Sequence, residues 1–279
     1  MDATVGAPAS GNIEQKETHF VRLIENFLAR LAYFRDLGML VVNFIIALRR
    51  LKGNQWNYTK NMIIHQIIFS GVDAIYVVSV ISALVGGVVM VQLLAFSPGF
   101  QTDAFLMKIM VGLIIKDIAP IFAALILVGR SGSAITVELG QMKLKGLNEA
   151  LEAMAIDTIQ FFHVPRVIGL AVCGMLLNLY FVITALAAWL FISSFQSAVS
   201  IREMLILLSG SFTMTEIAIC MVKGAALGSA IAFVCLLHGM GVERSATELP
   251  QRASRAVVDS FLICFVLDAL ITVIWYVVS

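Results

Sequence analysis

The chain has 279 residues, of which 60% are apolar and only 13% carry a charge. Soluble domains average about 25% charged residues, so this composition excludes an ordinary soluble enzyme and indicates an integral membrane protein. The formal net charge of +1 gives no global basic surface, which argues against a nucleic-acid partner.

Sequence signatures of catalysis and metal binding are missing from the chain. No G-x-x-x-x-G-K-[ST] phosphate loop occurs, so the chain is not predicted to hydrolyse ATP by itself and is not predicted to be an enzyme. The Gly129 to Ser133 run lacks the second glycine of a nucleophile elbow. The four cysteines lie in apolar runs without a C-x-x-C pair, which predicts buried free thiols and no metal or cofactor in this chain.

The N-terminal region divides into two parts by composition. Residues 1–18 are small and polar, which predicts a disordered tail. Residues 19–55 combine apolar side chains at helical spacing with several arginines, a pattern typical of an amphipathic helix that lies in the membrane interface. A packed core helix would explain the apolar spacing but not the arginines. Residues 56–279 then form the membrane domain.

Five transmembrane helices are predicted. The apolar run 62–96 is too long for one straight crossing, because 35 helical residues extend about 52 Å against a hydrocarbon core of about 30 Å. We therefore expect an elbow over 61–70, a break near Gly71 and a first span over 72–96. The other predicted spans are 105–129, 164–192, 213–238 and 257–278.

The distribution of cationic residues predicts the orientation. Fifteen Lys and Arg residues lie in segments 1–60, 130–166 and 239–256, whereas the segments on the other side hold one. The positive-inside rule then places the N-terminus in the cytoplasm and, with five spans, the C-terminus in the periplasm.

Several ionisable residues fall at membrane depth. Each costs at least about 2.5 kcal/mol at the bilayer centre unless it faces protein or water, so these residues mark an interior or a cavity. They are Asp73, Lys116, Asp117, Glu216, Lys223 and Asp268.

Asp117 lies next to a predicted irregularity in the second span. Pro120 has no N–H and cannot bond the carbonyl of Lys116, so a free acceptor is expected beside the carboxylate. Asp117 could serve a structural ion pair or a substrate contact. Glu216 and Lys223 are seven residues apart on one helix face, and could bind two ends of an amphiphile or satisfy partners on neighbouring spans.

Two other patterns concern packing and docking. Gly224 to Gly228 forms a G-x-x-x-G motif, which favours close packing within the chain over a dimer seam.

Segment 130–165 has Leu147, Leu151 and Met154 at helical spacing, which suits either a short helix that docks in a partner's groove or an interfacial connector.

Residues 116–168 closely resemble the MlaE/YrbE permease family. The segments that carry the resemblance are Lys116-Asp117-Ile118-Ala119-Pro120, Val128-Gly129-Arg130-Ser131-Gly132-Ser133-Ala134, Glu138-Leu139-Gly140-Gln141-Met142-Lys143, Leu151 to Asp157 and Val164-Pro165-Arg166. They occur in the family's order and spacing. A weaker resemblance extends from about residue 20 to 279 and makes 56–279 the permease domain.

The resemblance implies an all-α permease subunit of an ABC-type transporter in the bacterial inner membrane, with a cytoplasmic coupling helix between spans two and three. It implies two permease copies, a separate ATPase that holds ATP and Mg²⁺, a periplasmic hexamer of an MCE-domain protein and, in the Mla system, a STAS-domain protein. The implied cargo is phospholipid in a cavity between the two copies.

The resemblance also implies that Asp117 and Lys223 line the lipid cavity and that the segment from Leu147 to Asp157 is the coupling helix. Together with the other ionisable residues at membrane depth, the predicted substrate-cavity residues are Asp117, Lys116, Lys223, Glu216 and Asp268, and the predicted ATPase-coupling residues are Glu138, Leu147, Leu151, Glu152, Met154 and Asp157. We expect Lys223 to face the cavity and hold an anionic headgroup or an acidic neighbour, with Asp117 and Glu216 as candidate partners. The alternatives are an importer of sterol-like or other hydrophobic molecules, an ion-coupled secondary transporter and a passive membrane anchor.

Overall fold

The computed structural model describes residues 35–49, 53–96, 108, 111–154, 158–196, 214–242 and 245–278. The chain divides into two units, 1–43 and 44–279. In the first unit the described residues, 35–43, are helical. The predicted tail 1–18 and the first part of the predicted interfacial helix, 19–34, lie outside the described residues.

The second unit is a bundle of helices, and its described residues contain no strand. Five of its helices are long and apolar enough to cross a membrane, which confirms the prediction of five spans. In chain order they are Thr59–Gln92, Val111–Leu144, Phe161–Ser194, Met214–Met240 and Ala246–Val277. These are called the first to fifth spans below.

The first span is interrupted where the break was predicted. The helix Gly53–Gly71 passes through a 3₁₀ turn at Val72–Ala74 into the helix Ile75–Phe96. Arg130 of the second span donates to the carbonyl of Phe69 at 2.6 Å and pairs with Asp73. The break near Gly71 is therefore fixed by an arginine from the neighbouring helix.

The second span differs from its prediction. It contains π turns at Ile114–Ile118 and Val128–Gly132, separated by the helix Ala119–Leu127. It then continues as the helix Ser133–Leu144, so the helix extends beyond the predicted end of the span at 129. The extension is stable because its inner side, including the buried Leu139, packs against the fourth and fifth spans.

A sharp turn follows the second span. Gly146 has a φ of 67°, a left-handed conformation that favours glycine, and it allows the chain to enter a short helix at Leu147–Ala153. This helix is called the connecting helix below. A π turn at Ile159–His163 then leads into the helix Val164–Gln196 of the third span.

The third and fourth spans form the most extensive helix pair in the bundle. A Cβ atom added to Gly228 would lie 2.2 Å from the carbonyl oxygen of Leu170, and one added to Gly224 would lie 2.8 Å from that of Gly174. The G-x-x-x-G motif therefore packs within the chain, as predicted.

The fifth span is the most exposed of the five. Only 17% of its most apolar window is buried, against 61% for the second and fourth spans. Its helix runs over Leu249–Val278, so it begins earlier than the predicted residue 257 and includes Arg252 and Arg255 in its first turns. Its outward side chains, such as Leu262 and Val273, are apolar.

Candidate functional site

A network of charged side chains lies where the second, fourth and fifth spans meet. At its centre is Lys223, whose side chain is only 1% exposed. Its Nζ atom lies 3.0 Å from Asp268 Oδ1 and 3.4 Å from Asp117 Oδ1, and it donates to Thr272 Oγ1 at 2.7 Å. A buried lysine is tolerated because these oxygen atoms replace the water that it has lost.

The fourth acceptor of Lys223 comes from the main chain. The Nζ atom also donates to the carbonyl oxygen of Lys116. This is the carbonyl that Pro120 cannot bond, since a proline has no N–H. The prediction of a free acceptor beside Asp117 is thus confirmed, and the acceptor is used to hold the fourth span against the irregular part of the second.

A second ion pair extends the network to the start of the fourth span. Lys116 Nζ lies 3.0 Å from Glu216 Oε1. The lysine side chain is about one third exposed, whereas Glu216 is buried and its Oε2 atom has no hydrogen-bond partner among the described residues. The start of the fourth span is therefore tied to the same π turn that presents Asp117.

The exposure of the network is uneven. Its two lysines face three carboxylates, those of Asp117, Glu216 and Asp268, so the formal charges sum to −1. The side chain of Asp117 is 42% exposed, while that of Asp268 is buried. Asp117 is consequently the carboxylate that can meet a molecule outside the chain, and Lys223 is directed inward.

An apolar cavity lies beside this network. It has a volume of about 260 Å³ and is formed between the second, third and fourth spans. Ile115 and Ile217, the sequence neighbours of Lys116 and Glu216, are among its lining residues. The site thus combines charged side chains with an adjacent apolar space, an arrangement that matches the two parts of an amphiphile.

All five predicted cavity residues belong to this one network, but their pairing differs from the prediction. Asp117 is a partner of Lys223, as expected, whereas Glu216 pairs with Lys116 instead. The closer carboxylate is Asp268. Thr272 was not singled out in the sequence, although its spacing of four residues from Asp268 places both on one face of the fifth span.

The predicted coupling residues lie at the other end of the bundle, around the connecting helix. Leu147 and Met154 are exposed, as is Glu152, but Leu151 is buried within the chain. The three apolar residues therefore do not form one free face. Asp157 lies outside the described residues.

Glu138 takes part in an ion pair that joins the second and third spans. Its Oε1 atom lies 2.8 Å from Arg166 Nη2. Nearby, Lys143 donates to the carbonyl of Met240 at 2.5 Å and so fastens the end of the second span to the fourth. The connecting helix therefore follows a part of the bundle in which polar contacts join the second span to the third and fourth spans.

Comparison with known proteins identifies the family. A family model described as Permease MlaE matches residues 63–274. A probable ABC transporter permease protein of Synechocystis is 28% identical over 54% of this chain, and the match spans only 57% of that relative.

Two other relatives align over more of the chain. The intermembrane phospholipid transport system permease protein MlaE of Haemophilus influenzae is 22% identical over 91% of this chain and 99% of its own length. The chloroplastic protein TRIGALACTOSYLDIACYLGLYCEROL 1 of Arabidopsis thaliana is 22% identical over 84% of this chain and 66% of its own length. Because the family model covers most of the chain and all five spans contribute to the match, this protein is a multi-pass membrane protein that belongs to the MlaE permease family.

Proposed function

We propose that this chain is the membrane subunit of an ABC-type transporter that moves phospholipid. The observation that carries the proposal is the charged network inside the helix bundle, in which Asp117 is partly exposed and the sequence neighbours of Lys116 and Glu216 line an apolar cavity. Charged groups at this depth are costly unless they serve an interior site. A relative named for intermembrane phospholipid transport supports the choice of cargo.

Within this site, Asp117 and Lys116 are the proposed cargo contacts. Both side chains reach the surface of the chain, whereas Lys223 is enclosed by its own partners. Lys116 can attract a headgroup phosphate, and Asp117 can accept from a headgroup ammonium or hydroxyl. Lys223 and Asp268 then act as positioning residues, since they hold the π turn that carries both contacts.

The proposed assembly has two copies of this chain, with the cargo between them. A separate ATPase subunit would bind ATP and Mg²⁺ and would contact the connecting helix through the exposed Leu147 and Met154. The family supports a bacterial inner-membrane location, and the charge distribution supports a cytoplasmic position for this helix. An MCE-domain protein hexamer would then meet the periplasmic face, and a STAS-domain protein could attach to the ATPase.

A permease for sterol-like molecules is the second candidate, favoured by the purely apolar lining of the 260 Å³ cavity. Such a cargo has almost no headgroup, so its transport would not depend on the charge at Asp117. An ion-coupled secondary transporter would instead work without the ATPase. The candidates therefore differ in whether transport requires the charge of Asp117 and in whether it requires ATP.

We expect Asp117→Asn to reduce ATP-dependent phospholipid transfer at least about tenfold while changing the stability of the chain by less than about 1 kcal/mol. The loss follows from removal of a charge-assisted contact to the headgroup, and stability is kept because Lys223 retains Asp268. The measurement is transfer of labelled phospholipid from proteoliposomes that contain the permease and its ATPase.

A matched control is Glu248→Gln, which neutralises a carboxylate at the opposite end of the fifth span. It should transfer lipid at the wild-type rate. Unchanged phospholipid transfer by Asp117→Asn would contradict the proposed headgroup contact, and transfer that does not require the ATPase would contradict the ABC-type function.

The exposed residues of the connecting helix provide a second test. Met154→Asp should lower recovery of the ATPase with the solubilised permease about tenfold or more, because it places a charge in an apolar contact. The measurement is a pull-down of the ATPase on the tagged permease. Met214→Asp, at an exposed methionine on the other end of the bundle, should leave recovery unchanged. Equal recovery with both variants would remove Met154 from the interface.

A further inference from the structure

A larger cavity lies at the end of the bundle that carries the connecting helix. Its volume is about 600 Å³, within the ~300–1,000 Å³ of typical ligand sites. It is bounded by the helix before the first-span break, the extension of the second span and the start of the third span. Most of its lining is apolar or aromatic, including Met62, Phe69, Met142 and Phe161. None of the residues of the charged network lines it.

A buried cation with an unused donor lines this cavity. The side chain of Arg166 is only 8% exposed. Its Nη2 atom pairs with Glu138 and its guanidinium lies 5.8 Å from the ring centroid of Phe162, but its Nη1 atom has no hydrogen-bond partner among the described residues. An unpaired donor of a buried charged group is costly, so an acceptor supplied by a ligand would stabilise it.

A carboxylate lines the same cavity. Glu138 is 51% exposed and uses one oxygen for Arg166, which leaves its other oxygen able to accept from a ligand. The cavity therefore offers one positive and one negative group side by side, with no net charge from this pair. This arrangement suits a zwitterionic headgroup better than an anionic one.

The position of the cavity along the bundle fits a lipid headgroup. The 34 residues of the second span extend about 50 Å, which is about 20 Å more than the hydrocarbon core. Glu138 lies six residues from the end of that helix, and Lys143 and Lys145 follow it. The charged pair consequently lies near the headgroup layer. Ala134 and Phe69 line the cavity on the bilayer side of this pair, since Ala134 precedes Glu138 on the second span and Phe69 lies beside Arg130, so these residues lie next to the acyl chains.

We propose that this cavity is a binding site for a phospholipid whose headgroup carries both a phosphate and a primary ammonium. The phosphate binds the guanidinium of Arg166, the ammonium binds Glu138, and the upper acyl chains contact Ala134 and Phe69. The site is separate from the charged network, and lipid binding there does not depend on transport. It can therefore be tested on this chain alone, without ATP.

The test uses photocrosslinking of the full chain in nanodiscs made of equal parts phosphatidylethanolamine and phosphatidylglycerol. Benzoylphenylalanine replaces Phe161 inside the cavity or, as a matched control, Phe265 on the outward side of the fifth span. Mass spectrometry identifies the captured lipid. We expect phosphatidylethanolamine to be enriched about fivefold at position 161 relative to position 265, a difference of about 1 kcal/mol.

Two further substitutions distinguish a site that recognises the headgroup from a space that any lipid can occupy. Glu138→Gln removes the ammonium contact but keeps the shape, so the enrichment should fall to the control value or shift towards phosphatidylglycerol. Ala134→Leu partly fills the cavity and leaves the ion pair intact, so the yield at position 161 should fall about fivefold. Thermal melting of each variant verifies that it is folded, and Met142→Phe replaces Ala134→Leu if the latter is not.

Three results would overturn the proposal. These are equal lipid composition at positions 161 and 265, enrichment that Glu138→Gln does not change, and undiminished capture in the filled cavity. Lipid capture without transfer activity would leave this site intact and count against the proposed transport function. Capture of the ATPase at position 161 in the assembled complex, with no lipid captured by the chain alone, would reassign the cavity to subunit docking.

Discussion

Lys223→Met should lower the free energy of unfolding by about 3–5 kcal/mol. The substitution leaves Asp268 buried without its closest cation, and breaking a buried ion pair from one side has a cost of this size. It also removes the hydrogen bonds to Thr272 and to the carbonyl of Lys116. The measurement is denaturant or thermal unfolding of the purified chain in detergent.

The double variant Lys223→Met/Asp268→Asn is the matched control. Neutralising the buried carboxylate should recover more than half of the lost stability, because the remaining Asp117 is 42% exposed and can be solvated. Equal losses in the single and double variants would show that burial of the carboxylate is not the cause. A stable single variant that has lost only bound lipid would instead return Lys223 to the cargo site that the sequence suggested.

Local chemistry made part of this site predictable. A proline three residues after a carboxylate identifies the unbonded carbonyl of Lys116, because the missing N–H is a property of the residue itself. Charged residues in apolar spans were likewise expected to face an interior, since lipid cannot solvate them. The first inference was confirmed by the hydrogen bond from Lys223. The second holds for the buried Glu216, Lys223 and Asp268, whereas Asp73 is exposed.

The pairing within the network was not predictable from spacing. Helical spacing places Glu216 and Lys223 on one face, but it contains no information about the rotation of neighbouring helices. The structure turns Lys223 towards the second and fifth spans and Glu216 towards Lys116. The burial of a charged side chain depends on how three helices pack together. The burial of Lys223 was therefore not predicted from the sequence.

Segment boundaries were predicted less well where hydropathy and helix formation diverge. The second span becomes polar after Gly129, which predicts the end of the membrane crossing but not the end of the helix. The helix continues to Leu144 because the buried Ile135 and Leu139 pack against other spans. Leu151 was likewise assigned to a docking face, although its burial within the chain could be seen only from the tertiary packing.

The glycines of the fourth span provide the second large expected effect. Gly228→Ala should destabilise the chain by about 3 kcal/mol, at the upper end of the usual range for overpacking. The reason is that the new Cβ would lie 2.2 Å from the carbonyl oxygen of Leu170, and a backbone atom cannot move away as a side chain can. Unfolding in detergent, together with the mass of the complex by light scattering, measures both stability and oligomeric state.

Gly112→Ala is the matched control, because a Cβ there meets no atom within 4 Å. An alanine in that helix should be neutral or should stabilise the chain by up to about 1 kcal/mol through its higher helix propensity. The contrast distinguishes close packing within the chain from a dimer seam. If Gly228 contacted a second copy instead of the third span, Gly228→Ala would weaken the dimer while the unfolding of each protomer stayed unchanged.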